Sequence, residues 1–200
     1  MLKLDHIVLA AETLDDGTSY VEDRLGLKLD NGGRHEMFGT HNRLLNLGDC
    51  YFEVIALDPE AQPAQRAVWY ELDDFSGFPR LITWVCETDD MASDLPHLPY
   101  DAGKVITVSR DDLVWDLSIA DNGKLPLNGC APSIIDWKES SPPNVNLPER
   151  GCRLQKFSVT HPEIPQIYSR LRNIMNDPRV EMTYGERPAL SIVLQTPNGV

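Results

Sequence analysis

Glu53 is the residue whose position in the sequence most clearly suggests chemistry. It lies in the middle of an apolar run, residues 51–57, whose alternation is typical of a β-strand with Tyr51 and Glu53 on one face. Tyrosine, valine and isoleucine favour such a strand, but a carboxylate does not, and burying it unpaired is costly. We therefore expect Glu53 to face a cation, a hydrogen-bond donor or a wet cavity. The structural alternative is a buried carboxylate that pairs with Arg43 or accepts a hydrogen bond from Asn42 or Tyr51.

His6 is the second candidate for chemistry. It lies in the apolar run of residues 4–10 and shares a face with Val8 and Ala10. A lone imidazole in such a strand is either a buried group, hydrogen-bonded to a neighbouring strand or to Glu53, or a ligand in a pocket. The residues alone leave both interpretations open.

The elements that would position these two residues follow a simple order. Thr13 offers an N-cap and Gly26 a C-terminal stop for an amphipathic helix after the first strand. Gly48 and Asp49 turn the hairpin that contains Glu53. The predicted order is strand, helix, strand, strand, strand, with strands at residues 4–10, 27–29, 42–47 and 51–57 and a turn at 31–33.

The same order returns further along the chain. A second copy has predicted strands at residues 81–86, 105–109, 113–120 and 132–137 and a helix at 89–95. An incomplete third copy has strands at 153–160, 180–184 and 189–195 and one helix. Repeated units of this size bury little on their own. We therefore expect one cooperative domain, residues 1–200, built from modules 1–58, 80–139 and 150–200.

Composition limits the classes of partner. The formal net charge is −13, from 31 acidic and 18 basic residues, which argues against binding to nucleic acid or an anionic membrane. There is no apolar run of about 18 residues to span a bilayer, and the first residues lack the layout of a signal peptide. The four cysteines are far apart, without a CxxC pair that would indicate zinc or disulfides. We expect a reduced, cytoplasmic protein.

Several segments resemble one known family. The likeness is to the glyoxalase-like domain family of the vicinal-oxygen-chelate (glyoxalase/bleomycin resistance/dioxygenase) superfamily, whose mostly uncharacterised members are bacterial. It implies an α+β fold in which repeated β-α-β-β-β modules form a curved mixed sheet, or half-open barrel, here with a partial third module. The segments that carry it are residues 4–10, 33–35, 39–48, 51–59, 82–84, 134–137 and 195–199.

In that superfamily, each module can offer one metal ligand from its first strand and another from its last. The resemblance therefore implies that His6 and Glu53 hold one divalent ion, with Zn, Mn, Fe, Co and Ni all suited to an imidazole and a carboxylate. The second module departs from the pattern, because residues 81–84 contain no ligand. Asp136 is its remaining candidate, and it faces the pocket only if its register matches that of Glu53. Otherwise no cofactor is expected.

Four further residues are candidates for contact with a substrate. Asn42 and His41 begin the hairpin, and because neighbouring residues of a strand face opposite ways, only one of them can point into the pocket. Asn42 is alternatively a loop residue that hydrogen-bonds to the backbone. Trp84 and Trp137 are either core residues or apolar walls that replace the missing ligands of the second module.

The resemblance implies two functions of different classes. The first is a metal-assisted enzyme that chelates neighbouring oxygens of a small organic substrate, as a lyase, isomerase, dioxygenase or hydrolase, with Glu53 as general base when no metal is bound. The second is a metal-free protein that binds or sequesters a small molecule between tryptophans. A scaffold with a vestigial pocket is a third interpretation. Paired modules of this superfamily often assemble as dimers, so the resemblance also admits a homodimer.

Overall fold

The computed structural model describes residues 1–64 and 66–199. The strands in this part of the chain are β1 (Lys3–Ala10), β2 (Asp30–His35), β3 (Thr40–Asn46), β4 (Tyr51–Leu57), β5 (Arg80–Glu87), β6 (Lys104–Arg110), β7 (Leu113–Ile119), β8 (Ser133–Asp136), β9 (Arg153–Thr160), β10 (Val180–Thr183) and β11 (Ala189–Gln195). The α-helices are α1 (Leu14–Leu25), α2 (Met91–Asp94) and α3 (Ile164–Ile174). None of the helices in the described residues has the length and apolar character needed to cross a membrane.

The large sheet is built from two matching halves. Its strand order is β2-β3-β4-β1-β5-β8-β7-β6, so the first module contributes one half and the second module the other. The first strand of each half pairs in parallel with the last strand of the same half, and β1 and β5 meet antiparallel in the middle. The third module adds a separate sheet of order β10-β9-β11. The glyoxalase-like α+β architecture predicted from the sequence is confirmed.

The alternation of side chains divides the core into two parts. On one face, Ile7 and Phe52 pack with Trp84 and with Phe157 of the third module. On the other face, Val8 and Tyr51 pack with side chains of β7 and β8 inside the curve of the sheet. The inner face is therefore where a pocket lies, and the outer face holds helix α1 and the third module.

Strand β1 contains a bulge that changes where one side chain points. In its pairing with β5, Leu4 lies opposite Cys86 and His6 opposite Val85, so Asp5 is the extra residue. Such bulges redirect side chains relative to strict alternation. On the N-terminal side of the bulge, the chain is hydrogen-bonded to the third module, since the Leu2 N–H donates to the Ile174 carbonyl over 2.7 Å.

Strand β2 differs from the prediction. The sequence predicted a short strand at residues 27–29 and a turn at 31–33, but β2 runs from Asp30 to His35, with a register shift at the glycines. A Cβ at Gly32 would overlap the side chain of Asn42, and one at Gly33 would lie 2.5 Å from Cδ of Arg110. The paired glycines make room for two neighbouring side chains, which is why a turn signal occurs inside a strand.

The two edge strands of the large sheet approach each other and nearly close it. Gly33 of β2 lies against the side chain of Arg110 at the end of β6, and the Arg110 Nη1 donates to His35 Nε2 over 3.3 Å. We call this junction of β2 and β6 the seam. It brings residues of the first and second modules together beside the inner face.

Candidate active site

A small pocket lies on the inner face of the large sheet. Its volume is about 30 Å³, enough for roughly two water-sized groups. Polar side chains of the first module lie on one side of it, and apolar side chains of β7 and β8 on the other. Five aromatic rings contribute to the lining, those of Tyr51, Trp69, Tyr70, Trp115 and Trp137.

A line of polar side chains crosses the first-module side of the pocket. Asp5 Oδ1 accepts from His6 Nδ1 over 2.5 Å, and Asp5 Oδ2 accepts from the indole N–H of Trp137 over 2.8 Å. His6 Nε2 then faces Glu53 Oε2 at 3.5 Å. Both His6 and Glu53 are only 5% exposed. The bulge in β1 makes this arrangement possible, because it lets two consecutive residues, Asp5 and His6, lie on the inner face of the sheet.

The geometry assigns a proton to one side of His6. A carboxylate only accepts hydrogen bonds, so His6 Nδ1 carries a proton that it donates to Asp5. The facing atoms Nε2 of His6 and Oε2 of Glu53 are both lone-pair acceptors when unprotonated, and two such atoms this close in a buried site need a proton or a cation between them. The ring of His6 is held further by stacking on Tyr51, with centroids 4.5 Å apart.

Asn42 holds the other oxygen of Glu53. Its Nδ2 donates to Glu53 Oε1 over 2.5 Å, and its Oδ1 accepts from the backbone N–H of Gly33 over 2.8 Å. The amide therefore has a fixed orientation and leaves Glu53 Oε2 directed at His6. Asn42 thus combines both roles considered from the sequence, since it anchors the backbone of β2 and lies in the pocket.

A second polar chain crosses the seam. Arg110 can only donate, so His35 Nε2 accepts from it and His35 Nδ1 carries the proton, which points at Thr40 Oγ1 over 3.1 Å. The same Thr40 oxygen accepts from Trp69 Nε1 over 3.1 Å. Burial, and next the charge of Arg110, hold the pKa of His35 well below its usual value, so this imidazole is neutral.

The phenols of the pocket are also held neutral. Burial raises the pKa of Tyr51 well above its usual value, and the nearby carboxylates of Asp5 and Glu53 raise it further. The pKa of Tyr70 is raised for the same reasons, with burial again the largest cause. Both side chains therefore offer neutral hydroxyls and ring surface, not negative charge.

The residues present do not complete a metal site. His6 and Glu53 supply two donors, and a catalytic zinc site has three protein ligands. In residues 1–64 and 66–199 no group of three His, Cys, Asp or Glu side chains has the arrangement to hold an ion. Asp136, the third ligand expected from the sequence, points away, because Ile135 and Trp137 face the pocket and alternation turns Asp136 outward. There it lies 3.8 Å from the ammonium of Lys138.

Two of the residues expected to contact a substrate also lie elsewhere. Trp84 is fully buried on the outer face, where it packs edge-on against Phe157 and donates to the Cys130 carbonyl. His41 follows the opposite face from Asn42, with its Nδ1 4.0 Å from an oxygen of Asp58. Both positions follow from alternation along a strand. Trp137 does line the pocket.

Several pocket residues were not expected from the sequence. Trp115 lies in a correctly predicted strand and alternates with Leu117, so the alternation of β7 was the signal that could have indicated it. Trp69 belongs to an irregular connector, and Arg110 belongs to a different module from Glu53. For neither residue does the neighbouring sequence contain a pattern that predicts a place in the pocket. Asp5, which supports His6 and Trp137 from behind, lies on the inner face because of the bulge, which an alternating pattern does not reveal.

Comparison with known proteins supports the family suggested by the fold. Residues 4–175 match the family model described as "Glyoxalase-like domain". A hypothetical protein from Staphylococcus aureus has a similar structure, with TM-score 0.71 and 18% identity over 98% of this chain and 92% of that one. Hypothetical protein BH1468 from Bacillus halodurans C-125 has TM-score 0.46 and 15% identity over 70% of this chain and 97% of its own.

Methylmalonyl-CoA epimerase from Mycobacterium tuberculosis has TM-score 0.45 and 18% identity over 72% of this chain and 91% of its own. Among curated proteins none matches. The likeness to the S. aureus structure supports the fold, and the family match spans most of the sequence. This chain therefore belongs to the glyoxalase-like domain family.

Proposed function

We propose that the protein is an enzyme that moves protons on a small organic substrate with oxygens on neighbouring carbons. The observation that carries the proposal is the facing pair His6 Nε2 and Glu53 Oε2, 3.5 Å apart and buried beside a pocket. A buried imidazole and carboxylate that share one proton are suited to general acid–base chemistry. Aromatic walls around the pair limit the access of bulk water.

Each polar residue has a role in this chemistry. Glu53 removes a proton from the carbon next to a carbonyl, the C–H electron pair becomes the enolate, and His6 returns a proton to the neighbouring carbon or oxygen. Asp5 keeps His6 in one tautomer and orientation, and Asn42 keeps Glu53 directed at the pocket. The overall reaction is an isomerisation or an exchange of the carbon-bound proton with solvent, in which no electrons are gained or lost.

The metal-assisted form of this reaction, expected from the sequence, would need a donor beyond His6 and Glu53. A divalent ion would act as a Lewis acid on the substrate oxygens. Elemental mass spectrometry of untagged protein, soaked with Mn, Fe, Co, Ni or Zn and desalted, tests it directly. One equivalent of metal that is lost in both His6→Ala and Glu53→Ala would establish the metal-assisted form, and no metal in any sample leaves proton transfer by the side chains.

Deuterium exchange tests the proposed function without knowledge of the natural substrate. Pyruvate, hydroxypyruvate, hydroxyacetone and dihydroxyacetone are incubated with the protein in deuterated buffer, and loss of the proton signal is followed by NMR. We expect exchange of at least one compound, reduced about 100-fold or more in Glu53→Gln and in His6→Gln. Glu163→Gln is the matched control, because Glu163 is exposed and makes no side-chain cap to its helix.

A metal-free binding protein is the second candidate, and the paired tryptophans favour it. The rings of Trp115 and Trp137 lie 5.3 Å apart in the wall of the pocket. In this case small aromatic or carbonyl compounds quench tryptophan fluorescence, but Glu53→Gln leaves binding unchanged and no compound exchanges deuterium. Exchange that is equal in wild type and in Glu53→Gln would contradict the enzymatic proposal.

A further inference from the structure

Arg110 is a cation at the pocket whose charge has no partner in the described structure. It is half-buried at the end of β6 and lines the same pocket as His6 and Glu53. In residues 1–64 and 66–199 no carboxylate oxygen lies within 4.0 Å of its guanidinium nitrogens. Its side-chain hydrogen bond goes to His35, which is neutral. Within the described part of the chain, one of its five N–H donors is thus used.

The protein holds this arginine in a defined position. Gly33 has no side chain at the point where the stem of Arg110 crosses the seam, and an added Cβ would lie 2.5 Å from Cδ. His35 accepts from Nη1, and the guanidinium carbon lies 5.9 Å from the ring centre of Trp115. A guanidinium held between an acceptor and an aromatic ring keeps its remaining donors in a fixed fork. Such a fork matches the geometry of a carboxylate.

The charges around the pocket would also orient an anionic ligand. Glu53 lines the first-module side of the pocket, Asp5 is hydrogen-bonded to His6 on that same side, and Arg110 reaches the pocket from the second module. A negative group is repelled by the first two and attracted by the third. A ligand with one carboxylate at Arg110 therefore presents its other end to the His6–Glu53 pair.

From this geometry we propose that the substrate is a small carboxylic acid with an oxygen on the neighbouring carbon, a 2-oxo or 2-hydroxy acid, whose carboxylate is bound by Arg110. The inference rests on the proposed function, since it names the substrate class of the same pocket. The pocket is small, about 30 Å³, so bulky acids are excluded. Arg110 is the residue that selects acids over neutral carbonyl compounds.

Two ligands of nearly equal size test this selection. Pyruvate and hydroxyacetone share a methyl ketone, and only pyruvate carries a charge. Tryptophan fluorescence is titrated with each at constant ionic strength, in wild type, Arg110→Lys and Arg110→Met. We expect wild type to prefer pyruvate by about 10- to 100-fold, which corresponds to a charge-assisted hydrogen-bonded pair. We expect Arg110→Met to lose that preference and Arg110→Lys to keep a smaller part of it.

The ratio of the two affinities within one variant does not depend on how much of the sample is folded. Arg187→Met is the matched control, because Arg187 is exposed and distant from the pocket lining. Equal binding of the two ligands to wild type, an unchanged preference in Arg110→Met, or no binding of either ligand would overturn the inference. A preference that depends on Arg110 in the absence of any deuterium exchange would support the inference and overturn the proposed enzymatic function instead.

Discussion

The two halves of the large sheet repeat one arrangement of strands but present different side chains to the pocket. Glu53 lies opposite Leu44 in the first half, and Ile135 lies opposite Leu117 in the second half. Asn42 lies two residues before Leu44, and Trp115 lies two residues before Leu117. An aromatic ring in the second half therefore occupies the place of a polar side chain in the first half.

The same correspondence holds at the centre of the sheet, where His6 of β1 lies directly opposite Val85 of β5. The first half therefore carries the imidazole and the carboxylate, and the second half carries an aliphatic residue at each equivalent place. What the second half contributes instead is a wall of aliphatic and aromatic side chains and, from the end of β6, the cation Arg110. The two halves therefore share one backbone arrangement, and the imidazole and carboxylate of the pocket belong to the first half.

The largest effect on stability is expected on the outer face of the second half, at Trp84. Trp84 is fully buried and joins the large sheet to Phe157 of the third module, so Trp84→Ala should lower the free energy of unfolding by about 3–5 kcal/mol. We propose that the three modules form one cooperative unit, and urea unfolding followed by fluorescence and circular dichroism should then show one shared transition. Trp84→Phe is the milder control. Two separate transitions in wild type would contradict the proposal.

A carboxylate introduced into the second half, at the place equivalent to Glu53, should destabilise the protein. Ile135→Glu puts a carboxylate where Glu53 would be by symmetry, but without an equivalent of His6 or Asn42 to pair with it. In an Arg110→Met background, where the cation of the pocket cannot pair with the new carboxylate, we expect a loss of about 2–4 kcal/mol in urea unfolding at neutral pH, because the charge is buried without a partner. Ile135→Leu, which keeps the site apolar, should lose less than about 1.5 kcal/mol. Equal stability of the two variants would show that the second half tolerates charge.

A smaller effect should appear at the seam between the halves, as a pH dependence of stability. The pKa of His35 is lowered in the folded protein, chiefly by burial, from the ordinary value of 6.5. Above pH 6.5 both folded and unfolded forms hold it neutral; below that pH the unfolded chain takes up the proton first, so stability falls as pH falls. We expect a loss of about 1 kcal/mol per pH unit between pH 6.5 and 5.5.

Urea unfolding at several pH values checks this expectation. His35→Gln should remove that part of the slope and keep an acceptor for Arg110. His97→Gln, at an exposed histidine, should leave the slope unchanged. A slope that is the same in wild type and in His35→Gln would show that His35 does not titrate differently in the two states.

Local patterns in the sequence predicted much of the fold. The strands at residues 153–160 and 189–195 have the predicted bounds, and Thr13 and Gly26 cap helix α1 as expected. The alternation of the hairpin correctly predicted which residues of β4 share a face with Glu53. These features depend on neighbours in the sequence, where propensity and periodicity apply directly.

The parts of the site that the sequence did not predict depend on distant contacts. The role of Gly32 and Gly33 inside a strand becomes evident only when Asn42 and Arg110 are placed beside them, so the pair was interpreted as a turn. Trp84 and Trp115 both lie in well-predicted strands, but which of two faces is inward depends on how the halves pair. Periodicity gives two faces and does not tell them apart.

The bulge at Asp5 makes the start of the chain a support for the pocket, because Asp5 is hydrogen-bonded to His6 and Trp137. If β1 were straightened, every residue before position 6 would rotate to the opposite face, so Leu4 would enter the pocket and Asp5 would be driven toward the apolar core. The hydrogen bond between Leu2 and Ile174 ties down this short segment from outside the large sheet. The described part of the last module, residues 150–199, contributes no side chain to the pocket lining, but it fixes the segment of β1 that sets the orientation of His6.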